Sequence, residues 1–277
     1  MQFWEGAAIQ SPAPTSAPQF RRAHNPVLTN IPPRLRRSAI TDERATIMGA
    51  VALLEQLCDL VGVDDLSQCD MLDVGCGVKF TQAILNHDVP IKRYTGVDVY
   101  AEMIEFLRAN VDDPRFEYHH VDVRNELYNP DAPPMTLQTD FGVGERTFDV
   151  ICLYSVFTHL SPTDYVMMLK LLRRHIRADG RVLYTLFIDE LTDDGHGLMD
   201  FFERTLSHSP ADQSSIVAAD ALRRVVPFRD VDPSRPLTYA LYSREHACEL
   251  IEGTGWEQLQ LVAPTEHAQH IFVCRPV

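Results

Sequence analysis

Three apolar runs of the chain each end on a carboxylate, and the first also ends on a turn. MLDVGCG closes through Asp73 and the turn Gly75-Cys76-Gly77, RYTGVDV reaches Asp98, and FEYHHVDV reaches Asp122. Glycine adopts positive φ without steric penalty and carries no side chain, so a ligand can rest against the amides of such a turn. Asp98 follows Gly77 by 21 residues, close to the roughly 20-residue interval at which an acidic residue receives a ribose. A carboxylate there can accept from both ribose hydroxyls, and Asp122 is of the type that accepts from an adenine amino group. A GxG pair alone is a weak signal, and acids often follow strands as helix caps. That accounts for any one of these positions, but poorly for all three on one rim.

The elements that must place them alternate. DMLDVG, RYTGVDV, FEYHHVDV, TFDVICLYSV and GRVLYTLFI read as strands, with TQAILNH, AEMIEFLRANV and PTDYVMMLKLLRRHI as helices between them and a polar, Pro-rich loop over 125–145. That order means βαβ units and a parallel sheet covered on both faces. In such a sheet the ligand crevice lies beyond the carboxyl ends of the strands, where the turn Gly75-Cys76-Gly77, Asp98 and Asp122 stand. Upstream, Ile47, Ala50, Val51, Leu54, Leu57, Cys58 and Val61 recur at helical spacing, with Thr41 as a possible cap and Gly62 as the stop. Downstream, SREHACELIEGTG reads as a helix, and WEQLQLVAP with HAQHIFVCRPV as an antiparallel hairpin. Two segments fall outside the alternation. Residues 1–40 form a Pro-rich, basic arm, expected to be partly disordered. Residues 189–242, with one helical stretch in GLMDFFERTL, interrupt a single domain over 41–277 and read as a lid or substrate element.

In order and spacing, LDVGCG, YTGVDV, HHVDV, FDVICLYSVFTHL and LRRHIRADGRVLYTLF resemble the motifs of class I S-adenosylmethionine-dependent methyltransferases. The resemblance covers about 70–190 and returns at 243–277. It implies an α/β, Rossmann-like fold with a seven-stranded, mostly parallel sheet of order 3-2-1-4-5-7-6, an antiparallel last strand, and helices on both faces. It also implies S-adenosyl-L-methionine as the cofactor. Carried over by position, Asp73, Gly75, Cys76 and Gly77 would form the turn around its methionine and ribose, and Asp98 would take the ribose hydroxyls. Val99 would lie against the adenine face, Asp122 with the Val123 backbone would read the adenine edge, and Leu153 to Ser155 would line the methionine and sulfonium. Lys79 departs from the pattern, since many family members have glycine there.

Methyl transfer from a sulfonium is an in-line displacement, so the protein mainly aligns the nucleophile and excludes water. A base is needed only if the acceptor must lose a proton. His159, after the fourth strand, is the candidate; tying down its loop is an equally good role for it. Tyr154, Phe157 and Asp189 are candidates for the acceptor pocket, although aromatic residues at such places are commonly core. Asp193, Asp194 and His196, the pair His119-His120, and His267 with His270 lack convincing metal-ligand spacing, so no metal is expected.

The net charge of −14 disfavours a nucleic-acid partner. No apolar run reaches bilayer-spanning length, and no membrane partner is expected. Six scattered cysteines without a C-x-x-C pair fit reduced thiols and a cytoplasmic setting. The expected function is methylation of a hydroxyl or amine on a small-molecule acceptor by a monomer or homodimer. A nicotinamide-dependent oxidoreductase shares the strand, turn and acid, but position 80 is Phe where G-x-G-x-x-G needs glycine. A non-catalytic module that binds S-adenosylmethionine is the other alternative.

Overall fold

The computed structural model describes residues 31–32, 35, 43–189, 226–231, 234–264 and 269–277. Helix α1 (Glu43–Val61) buries Ile47, Ala50, Val51, Leu54, Leu57 and Cys58 along one stripe. It stops at Gly62, whose φ of 80° suits the left-handed C-terminal position and whose amide donates to the Cys58 carbonyl at 2.9 Å. Strands and helices then alternate: β1 (Leu66–Val74), α2 (Lys79–His87), β2 (Ile91–Asp98), α3 (Ala101–Asn110), β3 (Phe116–His120), β4 (Phe148–Leu153), α4 (Pro162–Leu172) and β5 (Ile176–Ile188). Two short strands follow, β6 (Phe228–Asp230) and β7 (Ala240–Tyr242), then α5 (Arg244–Glu249), β8 (Trp256–Val262) and β9 (His270–Pro276).

The first five strands are parallel in the order β3-β2-β1-β4-β5. β9 runs antiparallel against Val182–Leu186 of β5, and β8 pairs antiparallel with β9. β9 and β8 thus take the places of the seventh and sixth strands in the order the resemblance implies. The 13-residue β5 also pairs in parallel with β7, through Phe187 to Leu241 and Ile188 to Tyr242, and β7 pairs antiparallel with β6. This hairpin falls inside the segment 189–242, where the sequence suggests a lid; three-residue strands are too short for the period of two to register. The helical stretch GLMDFFERTL lies outside the described residues.

Alternation along the strands sorts the core onto two faces. Met71, Tyr94, Val150, Cys152 and Leu183 join the cluster that includes the buried residues of α1, α2 and α3. Leu72, Val74, Ile151, Leu153, Val182 and Tyr184 join Tyr165, Leu169 and Leu172 of α4 and Ala247 of α5. Ile31 and Leu35 are buried in the first cluster, so this part of the arm expected over 1–40 belongs to the core. No helix is present over 121–147 between β3 and β4. Pro130, Pro133 and Pro134 oppose one there, and Phe141 and Val143 cover the second face directly. At the amino ends of the strands, Arg177 pairs with Asp149 and with Asp70 (2.8 Å), and Lys92 meets Asp70 at 3.0 Å, tying β5, β4, β1 and β2 together. All six cysteines are free thiols, and among the described residues no helix is long and apolar enough to cross a membrane.

Gly180 shows how closely β4 and β5 pack. A Cβ there would stand 2.7 Å from Ile176 Cδ1 and 2.8 Å from the Asp149 carbonyl oxygen. Gly180→Ala is expected to destabilise the fold by about 1–3 kcal/mol through overpacking. Denaturant titration would read this as a lower midpoint, and an unchanged midpoint would contradict the packing described.

Candidate functional site

The turn after β1 is fastened to the end of β2. The amides of Gly75 and Cys76 donate to the Val97 carbonyl at 2.8 and 3.1 Å, and the Gly77 amide donates to Asp98 Oδ2 at 3.0 Å. Asp98 Oδ1 accepts the Tyr100 amide at 3.0 Å just before α3. Gly75 (φ 74°) and Gly77 (φ 50°) are both left-handed. A Cβ on Gly75 would stand 2.5 Å from Val156 Cγ2, so this glycine admits the chain leaving β4; at Gly77 the same position is open. Cys76 turns its thiol into the first face over Gly96, where a Cβ would lie 2.9 Å from Sγ. Its contribution to the turn is therefore made by its backbone. Lys79 opens α2 with its side chain exposed, and the neighbouring Phe80 is buried with its ring edge against Tyr154.

Asp73 lies beneath the turn and is 2% exposed. It pairs across the sheet with Cys152 on β4 and Gly96 on β2. Its carboxylate accepts from Tyr94 Oη at 2.6 Å and Cys152 Sγ at 3.4 Å. Burial outweighs these donors and lifts its pKa from 3.8 to about 7.

A cleft of about 1020 Å³, its open mouth included, runs along the carboxyl ends of β1 to β4. Gly75, Asp98, Val99, Val123, Ser155 and His159 line it, as does Leu237 before β7. Its apolar walls include Val74, Val97, Val121, Met135, Phe141 and Met168, none of which the motifs single out.

Other expected residues stand elsewhere. Asp122 is exposed, and its carboxylate accepts from Asn129 Nδ2 at 3.2 Å outside the cleft lining, whereas Val121 and Val123 on either side line the cleft. The Val123 amide donates to the Val121 carbonyl at 2.9 Å, so its side chain rather than its N–H meets the cleft. Leu153 is fully buried in the second face. Tyr154 points to the first face, packing on Phe80 and donating to the Leu53 carbonyl on α1 at 3.3 Å. Phe157 is a core ring, stacked on Tyr184 at 4.3 Å between centroids. Asp189 is buried at the end of β5, its amide on the Tyr242 carbonyl at 2.8 Å. Burial raises its carboxyl pKa while Arg229 opposes the shift, and it lies outside the cleft lining. Tyr154, Phe157 and Asp189 therefore do not wall this cleft.

His159 sits in a 3₁₀ turn, Phe157–His159, with Nδ1 3.1 Å from the Leu237 carbonyl. A carbonyl only accepts, so Nδ1 donates, and the neutral ring carries its lone pair on Nε2. Among the described residues no group of three or more His, Cys, Asp or Glu could hold a metal ion; Asp193, Asp194, His196 and His267 lie outside them.

Residues 72–182 match the family model described as a methyltransferase domain. A malonyl-[acyl-carrier protein] O-methyltransferase of Acetivibrio thermocellus is 27% identical over 135 residues, covering 44% of this chain and 48% of that protein. The chain thus spans about half the length of this curated relative. Among solved structures, a methyltransferase in calicheamicin biosynthesis, in its SAH-bound form, is similar with a TM-score of 0.51 and 16% identity, covering 84% of this chain and 56% of that one. Magnesium protoporphyrin IX methyltransferase from Synechocystis PCC 6803, with bound SAH, has a TM-score of 0.50 and 10% identity, covering 88% and 92%. These two likenesses are likenesses of fold.

Asp73 gives this site a pH signature. With a pKa near 7 in the fold and 3.8 as the ordinary value, the folded chain binds this proton more tightly. The contribution favours folding in full below about pH 4 and is lost as pH rises through about 7. Asp73→Asn should remove that loss, so its melting temperature relative to wild type should climb between those limits. A difference that stays flat with pH would mean that Asp73 titrates as an ordinary carboxylate.

Proposed function

We propose that this chain, which carries a methyltransferase domain of the S-adenosylmethionine-dependent class, transfers a methyl group to a hydroxyl or amine of a small-molecule acceptor. The observation that carries the reading is the rim itself. A glycine turn, a buried carboxylate and apolar walls converge on one cleft at the carboxyl ends of four parallel strands. These features suit S-adenosylmethionine: Asp98 is of the type to accept ribose hydroxyls, Val99 and Val123 offer apolar surface to an adenine, and the Gly75–Gly77 backbone leaves room for a ligand to approach. When bound, the cofactor supplies a methyl group already activated by a sulfonium.

The chain's own tasks are then to orient and to handle a proton. Asp98 and the turn hold one end of the cleft in a fixed shape. His159 is the proposed base, with Nε2 as the atom that takes the acceptor's proton; its Nδ1 bond to Leu237 keeps the ring in that tautomer and ties down the loop at once. The net charge of −14 favours a small molecule over a nucleic acid. The malonyl-[acyl-carrier protein] enzyme broadens the range of acceptor atoms to consider. We place the protein in the cytoplasm, as a monomer or homodimer.

A thermal-shift panel tests the class. S-adenosylmethionine and S-adenosylhomocysteine should raise the melting temperature and NAD(H) and NADP(H) should not; the reverse pattern would make the chain an oxidoreductase. Asp98→Ala should weaken S-adenosylhomocysteine binding by roughly 1–3 kcal/mol, and unchanged calorimetric affinity would remove Asp98 from the site. For His159→Ala, the expectation is slower turnover with cofactor affinity nearly intact and the basic limb of the pH–rate profile altered. Rates equal to wild type at every pH would show that it is not the base, and turnover by no acceptor at all would favour a binding module.

A further inference from the structure

The end of the cleft away from Asp98 is held by a hydrogen-bonded group that the reading above does not use. Ser155, the second residue after β4, lines the cleft with a φ of 58°, a left-handed conformation uncommon for a residue with a side chain. Its amide donates to Thr185 Oγ1 at 2.8 Å. The Thr185 hydroxyl, having accepted that amide, donates to Gln269 Oε1. With its oxygen so engaged, Gln269 turns Nε2 to Ser155 Oγ at 2.8 Å. Thr185 and Gln269 are 2% and 6% exposed, so these side chains find their partners in the protein rather than in water. Three strands meet here: Ser155 follows β4, Thr185 belongs to β5 and Gln269 precedes β9.

The direction of the bonds has a consequence for Ser155. Its oxygen accepts the short bond from Nε2 at 2.8 Å, while its own bond to Gln269 Oε1 is longer, at 3.2 Å, and is made to the same amide, so it is the weaker of the two and yields to a charged acceptor. The hydroxyl proton is therefore best used by an acceptor in the cleft. We infer that Gln269 is a positioning residue that, through Ser155, presents a hydroxyl donor to the carboxylate at the amino-acid end of the bound cofactor. This rests on the S-adenosylmethionine reading of the cleft. With the ribose at Asp98 and Gly75 between, the part of that molecule that reaches Ser155 is its amino-acid end. A carboxylate only accepts, and a hydrogen bond to a charged acceptor is the stronger kind.

The test compares two ligands by calorimetry on the whole chain. S-adenosylhomocysteine carries the carboxylate and the ammonium; 5′-methylthioadenosine has the same adenosine and thioether without either, and of the two groups only the carboxylate can accept a hydroxyl proton. Gln269→Met keeps the length of the side chain but neither donates nor accepts as the amide does, and Ser155→Ala removes the hydroxyl. Each should weaken S-adenosylhomocysteine on the order of 10-fold and leave 5′-methylthioadenosine unchanged, and the double variant should lose no more than either single one. Equal losses on both ligands would make the group a purely structural brace and overturn the inference, as would no loss on either. Additive losses would show that Gln269 does not act through Ser155. Should Gln269→Met fail to fold, Ser155→Ala with Thr185→Val decides the same point. Wild-type protein that binds neither ligand would instead remove the cofactor reading, and the inference with it.

Discussion

The site depends on the end of β2 receiving the amides of the turn that leaves β1. A chain that ends a buried strand and turns sharply has N–H groups with no ladder partner, and leaving one buried and unmet costs about 1–3 kcal/mol. Here the Val97 carbonyl takes two of them and the Asp98 carboxylate takes a third, with a fourth from Tyr100 on its other oxygen. One carboxylate thus joins β1, β2 and the start of α3. Bonds from within the protein define the shape of the turn. The spacing marks Asp98 as a candidate for binding, and in the fold its carboxylate holds the turn.

The two faces of the sheet differ in a way that decides where the opening lies. The first is sealed by α1, α2 and α3, with Ile31 and Leu35 added from the amino-terminal segment. Asp73, Tyr94 and Cys152 form a buried polar contact there, and Cys76 and Tyr154 also turn toward that face, so residues beside the turn close it. On the second face, the Pro-rich stretch between β3 and β4 has no helix, and Phe141 and Met135 reach the cleft directly. A helix would present a ridged, continuous surface; this loop leaves a hollow against Met168 of α4. The cleft opens where sequence composition forbids a helix.

The order of strands was readable because strands buried on both faces are near-continuous apolar runs, and the loops between them carry acids and glycines. The direction of side chains beyond the strand ends was not. Leu153, Tyr154, Ser155 and Phe157 are consecutive or nearly so, yet they point into the second core, the first face, the cleft and the second core again. The left-handed Ser155 breaks the alternation a strand would impose, and no residue type in LYSVF announces it. Asp122 is a case of the same kind: it lies beyond β3 in a tight turn closed by the Val123 amide on the Val121 carbonyl, which sets it outside while Val121 and Val123 line the cleft. Gln269 carried no local signal, since its partner Ser155 is 114 residues away. The hairpin of β6 and β7 was hidden because each strand is three residues long.

Backbone strain is distributed unevenly along the cleft, and that distinction separates its two ends. Near Asp98, positive φ falls on Gly75 and Gly77, which adopt it freely. At the other end it falls on Ser155 and Leu237, two of the three non-glycine residues with positive φ among those described, and both line the cleft beside His159. Such a conformation costs about 1–3 kcal/mol and persists only where the surroundings fix it. The surroundings do so here: Thr185 and Gln269 hold Ser155, while the Leu237 amide donates to Asp230 Oδ2 at 3.0 Å and its carbonyl holds His159. Glycine would relieve the strain at either position but would remove a hydroxyl at one and an apolar wall at the other. Glycine thus carries the positive φ at one end of the cleft, and strained residues whose side chains are held by hydrogen bonds or line the cleft carry it at the other.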